Sequence, residues 1–331
     1  MSLGPFYPDR LPAPLAFVSD WPSESDLKKQ EAFSDLGVFN ALLRTGNLRR
    51  SDYMITHVYD QRPPQDKLER ITWVNENREA QLARLAEELD NAEPACIVPL
   101  GDAALGAFIG TFGKMSQFRG SVLPATAVVP GAKLLPTLHP RDVLKQWHLY
   151  TIVAGDLIKA AREGLKGPDI VYPERRLLLE PSFNEACEYL GYCSGADLLS
   201  VDIETGWGQI TCVGVAPNET EAMCIPFVDL RKPNKSYWGS ADMEVGVWKA
   251  LKCLLEDRSV PKLGQNFTYD AFWFLHRMGI KVYNYRHDTR LLHHALYAEL
   301  PKDLAFLGAA YSQQGAWKSW GQAYSKDKRD D

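Results

Sequence analysis

At 331 residues, with 45% hydrophobic and 24% charged side chains, the chain has the composition of an ordinary globular protein and length enough for two domains with separate cores. The formal net charge of −5 excludes a chain-wide positive field, although a local basic patch beside an acidic metal site is compatible with it. No apolar run reaches membrane-span length and the start carries no signal-peptide pattern, so a cytoplasmic protein with no membrane partner is expected.

The six cysteines include no CxxC pair, and most sit in apolar runs such as Ala95-Cys96-Ile97-Val98, which reads as reduced core thiols. From the N-terminus, Leu15-Ala16-Phe17-Val18 forms a short strand ending at the turn Ser19-Asp20-Trp21-Pro22-Ser23. A helical stretch follows, apolar at Phe33, Leu36, Phe39, Leu42 and Leu43. A second strand, Tyr53 to Val58, is closed by Arg62-Pro63-Pro64. The segment from Trp73 to Leu89 is a periodic helix with Leu82, Leu85 and Leu89 on one face, leading to the buried strand Cys96-Ile97-Val98-Pro99-Leu100. Gly101-Asp102 turns the chain into a helix from Ala103 to Phe108. The half closes with the strand-like Lys133 to Pro140 and a helix from about Arg141 to Ala161. Strands alternating with helices predict a parallel sheet in a three-layer α/β/α domain over residues 1–165.

Residues 166–176 read as a linker, because Gly164, Gly167 and Pro168 punctuate a stretch of little periodicity. Beyond it, in residues 177–331, a helix opens at Pro181-Ser182 and runs to Tyr192. Three closely spaced strands follow at Leu198 to Glu204, Ile210 to Val215 and Ala222 to Phe227, then a helix from about Met243 to Leu255. Short turns between sequential strands imply hairpins and a mixed sheet.

The chemistry of this half is concentrated in carboxylates. In Val201-Asp202-Ile203-Glu204-Thr205 the two acids stand two apart on a strand and project from one face. Carboxylates so placed repel unless protonated or holding a cation; alone, they also read as two solvent-facing acids on an edge strand. The second signal is Gly264-Gln265-Asn266-Phe267-Thr268-Tyr269-Asp270, where Asn266 and Asp270 share a helix face if the helix begins near Asn266. Asn266 alone reads as an N-cap and Asp270 as a first-turn acid.

With both signals in this order, the chain from about Arg176 to Trp320 resembles the proofreading exonuclease domain of family A DNA polymerases, a ribonuclease H-like (DnaQ-like) fold. Asp202 and Glu204 match its first motif, and Gly264 through Asp270 match its second. His287-Asp288-Thr289 and Lys302 through Leu307 match the helical stretches that follow. The resemblance implies 3′→5′ hydrolysis of terminal phosphodiesters with two Mg²⁺ or Mn²⁺ ions held by Asp202, Glu204 and Asp270 as catalytic ligands. Thr205, Asn266 and Tyr269 would meet the terminal nucleotide of single-stranded DNA, while Asp288 would hold structure at a helix start. The family's third motif, Tyr-x-x-x-Asp, has no match: Tyr324-Ser325-Lys326-Asp327 has the wrong spacing, and Lys328 stands in place of the acid. The expectation is a chain cut before that motif, feeble as a nuclease, with a polymerase domain possible beyond residue 331.

Residues from about Leu15 to Ala160 resemble the uracil-DNA glycosylase superfamily, nearest its thermostable iron–sulfur branch. Ser19-Asp20-Trp21-Pro22-Ser23 stands where that branch has Gly-Glu-Ala-Pro-Gly. Phe33 falls at the base-stacking aromatic, Tyr53 to Pro63 at the next strand and its Arg-Pro end, and His139-Pro140 at the late His-Pro motif. The resemblance implies a base pocket of Asp20, Trp21, Phe33, His57 and His139. It departs from the pattern where Trp21 replaces a small residue, with its ring expected in the base slot, and where His57 replaces the Asn that reads uracil. Cysteines at iron–sulfur spacing are absent, so no cluster is expected. Arg44, Arg49, Arg50, Arg62, Arg119 and Arg141 fall at turns or helix ends, where phosphate contacts are usual. The sequence thus points to a metal-dependent exonuclease fused to a glycosylase-like domain that does not excise uracil, in a phage or bacterial DNA polymerase-like or DNA-repair protein. A bifunctional enzyme, a non-catalytic DNA-binding module and an RNA-processing exonuclease stay open as alternatives.

Overall fold

Short strands that are buried along their whole length need cover on both sides, and the first half of the chain supplies it with helices. The structure is a computed structural model that describes residues 2–34, 37–49, 52–64, 71–110, 115–313 and 315–316; Leu36, Arg50 and the segment Tyr324 to Lys328 lie outside them. By its contacts the chain divides into two units, Met1–Tyr172 with Ala305–Asp331, and Pro173–Leu304. The cut between them falls after Tyr172, and the segment from Ala305 onward groups with the first unit.

In the first unit β1 (Leu15–Ser19) is central, with β2 (Tyr53–His57) parallel on one side and β3 (Cys96–Leu100) parallel on the other. The short edge strands β4 (Leu123–Pro124) and β5 (Lys133–Leu134) complete the order β2-β1-β3-β5-β4, with β4 antiparallel. Strand parity sorts the core into two faces. Leu15, Phe17, Tyr53, Ile55 and Val98 pack with Phe39 and Leu42 of the helix Gly37–Thr45 and with Val153, Leu157 and Ala160 of the late helix. Ala16, Val18, Met54 and Ile97 pack with Leu85 and Leu89 of the long helix Ile71–Ala92 and with Ala104 and Phe108 of the helix Asp102–Ile109. This is the expected three-layer α/β/α sandwich. The single late helix of the sequence reading is two, Pro140–Lys145 and Leu149–Leu165. The break comes where Gln146 leaves helical backbone at φ −139°.

In the second unit the sheet is mixed. Numbering strands in chain order, β6 (Arg176–Leu178), β7 (Leu199–Gly206), β8 (Gln209–Ala216), β9 (Glu221–Pro226), β10 (Lys262–Gly264) and β11 (Tyr285–Asp288) lie in the order β11-β10-β7-β8-β9-β6. The three-strand meander β7-β8-β9 is antiparallel, and β10 and β11 extend it in parallel. The helix Phe183–Cys193 starts where the sequence places it, on a Ser182–Glu185 capping box. Its Leu190 joins Leu251 of the helix Ala241–Glu256, Val201, Val213 and Phe274 in one core.

Two polar features hold the first unit's rim. Lys159 donates to the carbonyls of Gly120 (2.6 Å), Ala309 (2.7 Å) and Ser312 (2.7 Å), which clasps the returning segment. Arg119, expected among the phosphate contacts, is instead buried. Its Nε donates to Asp156 Oδ2 at 3.0 Å, its other fork bonds Asp156 Oδ1, and Thr137 donates to the same carboxylate at 2.6 Å. Burial is the reason for the correction: a guanidinium already spent on a buried carboxylate cannot face a phosphate. Replacing Arg119 with Met strands the Asp156 charge in the core, and unfolding in urea should show a loss of about 3–5 kcal/mol. A loss below about 1 kcal/mol, the scale of a surface pair, would show that the bridge is open to water.

Candidate functional site

Parallel strands end in step, so the residues at the carboxyl ends of β1 and β2 lie side by side. Ser19 pairs in register with His57, and both point to the Phe33 face. Both are buried, His57 at 2% exposure, and Ser19 Oγ and both ring nitrogens of His57 have no hydrogen-bond partner among the described residues. Native cores rarely leave three such atoms together. Burial lowers the His57 pKa to about 3, so the ring is neutral and offers one donor and one acceptor.

Phe33 lies over this pair, its ring centroid 6.0 Å from that of His57 and 5.9 Å from that of His139. It sits in left-handed backbone at φ 56°, outside the helix that the sequence assigned to it. Asp26 sets that turn. It accepts from Ser23 N at 2.8 Å and Ser34 N at 2.7 Å, while Ser23 Oγ accepts from Asp26 N. The sequence reading passed over Asp26, yet Ser23-x-x-Asp26 is a visible capping box. His139, the N-cap of the helix Pro140–Lys145, accepts from Arg141 N through Nδ1 at 3.1 Å. Burial also lowers its pKa to about 3. A neutral ring accepting at Nδ1 carries its proton on Nε2, which makes Nε2–H a fixed donor.

Two pocket residues stand elsewhere. Trp21, expected in the base slot, packs against the core cluster on the opposite face of the sheet, because the turn after Ser19 carries its ring away from Phe33. Asp20 accepts from Ala104 N at 2.8 Å, serving the start of the helix Asp102–Ile109, which has no side-chain cap of its own. Its carboxylate lies 3.1 and 3.2 Å from where a Cβ on Gly101 would stand, at a φ of +100°, so that turn requires glycine. Burial raises the Asp20 pKa to about 7 against the pull of the Ala104 N–H.

In the second unit, β7 alternates as expected: Asp202 and Glu204 are exposed while Val201 and Ile203 are buried. β10 stops beside Ser200, which leaves the Ile203 N–H without a strand partner. Asp270, 3% exposed, takes that N–H on Oδ1 at 3.0 Å. Its pKa rises to about 7, first from burial and then from the charge of Asp202, with the Ile203 N–H working against both. Thr205 and Tyr269 meet through their hydroxyls at 2.7 Å.

The helix begins at Thr268, not near Asn266, so Asn266 and Asp270 do not share a helix face. The cause is Asn266 itself, in left-handed backbone at φ 56°, with its N–H on Asp288 Oδ1 at 3.0 Å and its Oδ1 on Arg290 at 2.8 Å. Asp288 also accepts from Phe267 N (2.9 Å) and Tyr285 OH (2.7 Å) and caps the helix Thr289–Leu296, the structural part expected of it. A Cβ on Gly264 would stand 2.3 Å from the Phe267 ring, so the Gly264-Gln265-Asn266 turn also depends on glycine. Among the described residues no three His, Cys, Asp or Glu side chains gather as a metal-holding group. Asp270 lies within reach of the charge of Asp202, and Glu204 stays two residues along the strand. The tail that would carry a third motif lies outside the described residues.

A largely parallel sheet with unpartnered polar groups, a phenyl ring and a histidine gathered at its carboxyl edge defines an α/β domain with a polar cluster where ligands of such sheets bind. Residues 6–161 match the family described as the uracil DNA glycosylase superfamily. The type-4 uracil-DNA glycosylase of Thermotoga maritima is 30% identical over 151 residues, 44% of this chain and 75% of that protein. The chain belongs to the uracil-DNA glycosylase superfamily. Solved structures with similarity include RNase D of Trypanosoma brucei (TM-score 0.29, 18% identity, 37% of this chain and 40% of that one). Others are RNase D of Escherichia coli (0.31, 16%, 43% and 34%) and the Nibbler EXO domain of Aedes aegypti (0.32, 16%, 42% and 70%). This chain therefore spans about two fifths of the Trypanosoma protein's length. No described helix is long and apolar enough to cross a membrane.

The buried histidine makes a pH prediction. His57 binds a proton near 6.5 when unfolded but only near 3 when folded, so the unfolded chain takes up the proton first as pH falls. Its contribution is complete above the unfolded value and is lost towards the folded one, about 2 kcal/mol by about pH 5. Asp20, raised to about 7, acts with the opposite sign over the same range, so the test is a difference. In urea unfolding at about pH 7 and about pH 5, His57→Phe should lose less stability on acidification than the wild type, by about that amount. Equal losses would mean that His57 is protonated in the fold.

Proposed function

We propose that the second unit is a metal-dependent 3′→5′ exonuclease acting on single-stranded DNA, joined to a glycosylase-superfamily domain that binds a base without excising uracil. The observation that supports the nuclease reading is the buried Asp270 carboxylate held against Asp202 through Ile203 N. Two like charges so placed, with oxygen donors only, fit Mg²⁺ or Mn²⁺ better than they fit empty water. Asp202 and Asp270 would hold the ion, with Glu204 beside them. A divalent ion there, when bound, neutralises phosphate charge and supplies a nucleophilic water near neutral pH. The residues' own part is placement: Asp270 is locked by the strand backbone, and Thr205 fixes the Tyr269 hydroxyl beside the carboxylates. Asn266, steadied by Arg290, offers its amide to the terminal nucleotide. The setting of this pair in a DNA polymerase-like or DNA-repair protein belongs to the same proposal.

Degradation of 3′-labelled single-stranded DNA by the chain should be feeble and should need Mn²⁺ or Mg²⁺, and Asp202→Ala should abolish it and lower Mn²⁺ affinity by orders of magnitude. Unchanged Mn²⁺ binding and cleavage in that variant would sink the assignment.

For the first unit, the amide that reads uracil in the family offers a donor and an acceptor side by side. Neutral His57 carries its two on different sides of a ring, and only one can face a base edge. A pocket with the wrong hydrogen-bond partner rejects its base by about 10⁴-fold or more. No uracil release from single- or double-stranded DNA is expected. The rings of His57 and His139 nonetheless both lie within 6.0 Å of that of Phe33, with Ser19 in register beside His57, and this favours one second reading, a bifunctional enzyme. Robust excision that disappears in His139→Ala would establish it.

A further inference from the structure

From the Asp202–Asp270 pair to the tip of the β7–β8 hairpin runs a line of side chains of which the nuclease reading uses only Tyr269. Tyr269, Trp273 and Arg277 are spaced by four on the helix Thr268–Met278 and form one stripe. Tyr269 is 46% exposed, and its hydroxyl is anchored on Thr205. Its ring centroid lies 6.1 Å from that of Trp273 at 56°, and the Arg277 guanidinium lies 5.5 Å from the Trp273 ring. Arg277 reaches the hairpin turn: its Nη2 is 3.4 Å from where a Cβ on Gly208 would stand.

That turn is two residues long, closed by Gly206 and Gln209, with Trp207 at φ 51° and Gly208 at φ 75°. Both positions favour Asn or Gly, because left-handed backbone strains any larger residue. A tryptophan here is strained, and it is 75% exposed. The fold gains neither packing nor turn geometry from it. An open indole, a phenol, a second indole and a guanidinium along one edge suit a partner that has flat apolar faces and phosphates in alternation.

We infer that this edge is a stacking track for the single-stranded DNA immediately 5′ of the nucleotide at Asp202 and Asp270. One base stacks on Trp207, another lies against Tyr269 and Trp273, and Arg277 bonds the phosphate between. A duplex buries its base faces in its own stack, so the track selects a single strand. The inference rests on the nuclease reading for the strand's direction, but binding is measured without cleavage.

The test is fluorescence anisotropy of a labelled oligothymidylate titrated with the full chain in EDTA. It is joined by photo-crosslinking of the same strand carrying 5-iodouracil near its 3′ end. Trp207→Ala and Arg277→Gln should each weaken binding roughly 10-fold, with Trp207→Phe close to wild type. Arg277→Gln should also lower the salt slope by about one. The crosslink should map to the peptide that contains Trp207. Binding in EDTA by a chain that degrades no DNA in Mn²⁺ separates this inference from the nuclease reading. Wild-type affinity in both Trp207→Ala and Arg277→Gln, a crosslink confined to the first unit, or duplex bound as tightly as single strand would overturn it.

Discussion

A backbone N–H that loses its strand or helix partner inside a protein has to find another acceptor, and in this chain the acceptor is repeatedly a carboxylate from a distant segment. Asp270 takes the Ile203 N–H where β10 ends. Asp288 takes those of Asn266 and Phe267 and then caps the next helix, and Asp20 takes that of Ala104. Asp26 does the same for the turn that presents Phe33. Two of these acids, Asp20 and Asp288, stand at the carboxyl ends of strands β1 and β11, the end where ligands of α/β proteins bind. The geometry of both candidate sites follows from this constraint, because the backbone groups served are the ones that frame them.

The two sites differ in the charge they can tolerate. In the first, burial leaves two histidines neutral, and the polar atoms that face Phe33 carry no formal charge. Such a pocket suits a neutral planar ring. In the second, burial and a neighbouring anion push Asp270 up, and a cation would relieve that pressure. One chain thus carries an uncharged polar cluster beside Phe33 and a buried carboxyl group under pressure from a second anion.

Much of this was legible in the sequence, and the rest was hidden for identifiable reasons. Strand β7 announced itself because one buried and one exposed face impose strict alternation, and the Ser182 helix start because a capping box is local in sequence. The structural part of Asp288 was legible in the same way. Trp21 was misplaced because a turn can send a side chain to either face of a sheet, and no periodicity records which. Asn266 and Asp270 were to share a helix face only if the helix began near Asn266, and spacing by four cannot reveal that Asn266 is left-handed. Arg119 was read as exposed because its partner Asp156 lies 37 positions away, and a pairing at that distance leaves no local trace. Phe33 and Asp26 show the opposite case: the capping box was visible, but its use in shaping a pocket was a matter of three dimensions.

The Lys159 clasp has a topological consequence. Because the carbonyls of Ala309 and Ser312 are bound within the first unit, the chain leaves that unit near Tyr172 and rejoins it near Ala305. In chain order the second unit is an insertion with both ends tied, not a bead on a string. A single protease nick in the seam would therefore release nothing, and liberating Pro173–Leu304 intact would take a second cut beyond its last helix. An enzyme built this way also cannot let its inserted unit unravel from one end, since each end runs straight into a folded anchor.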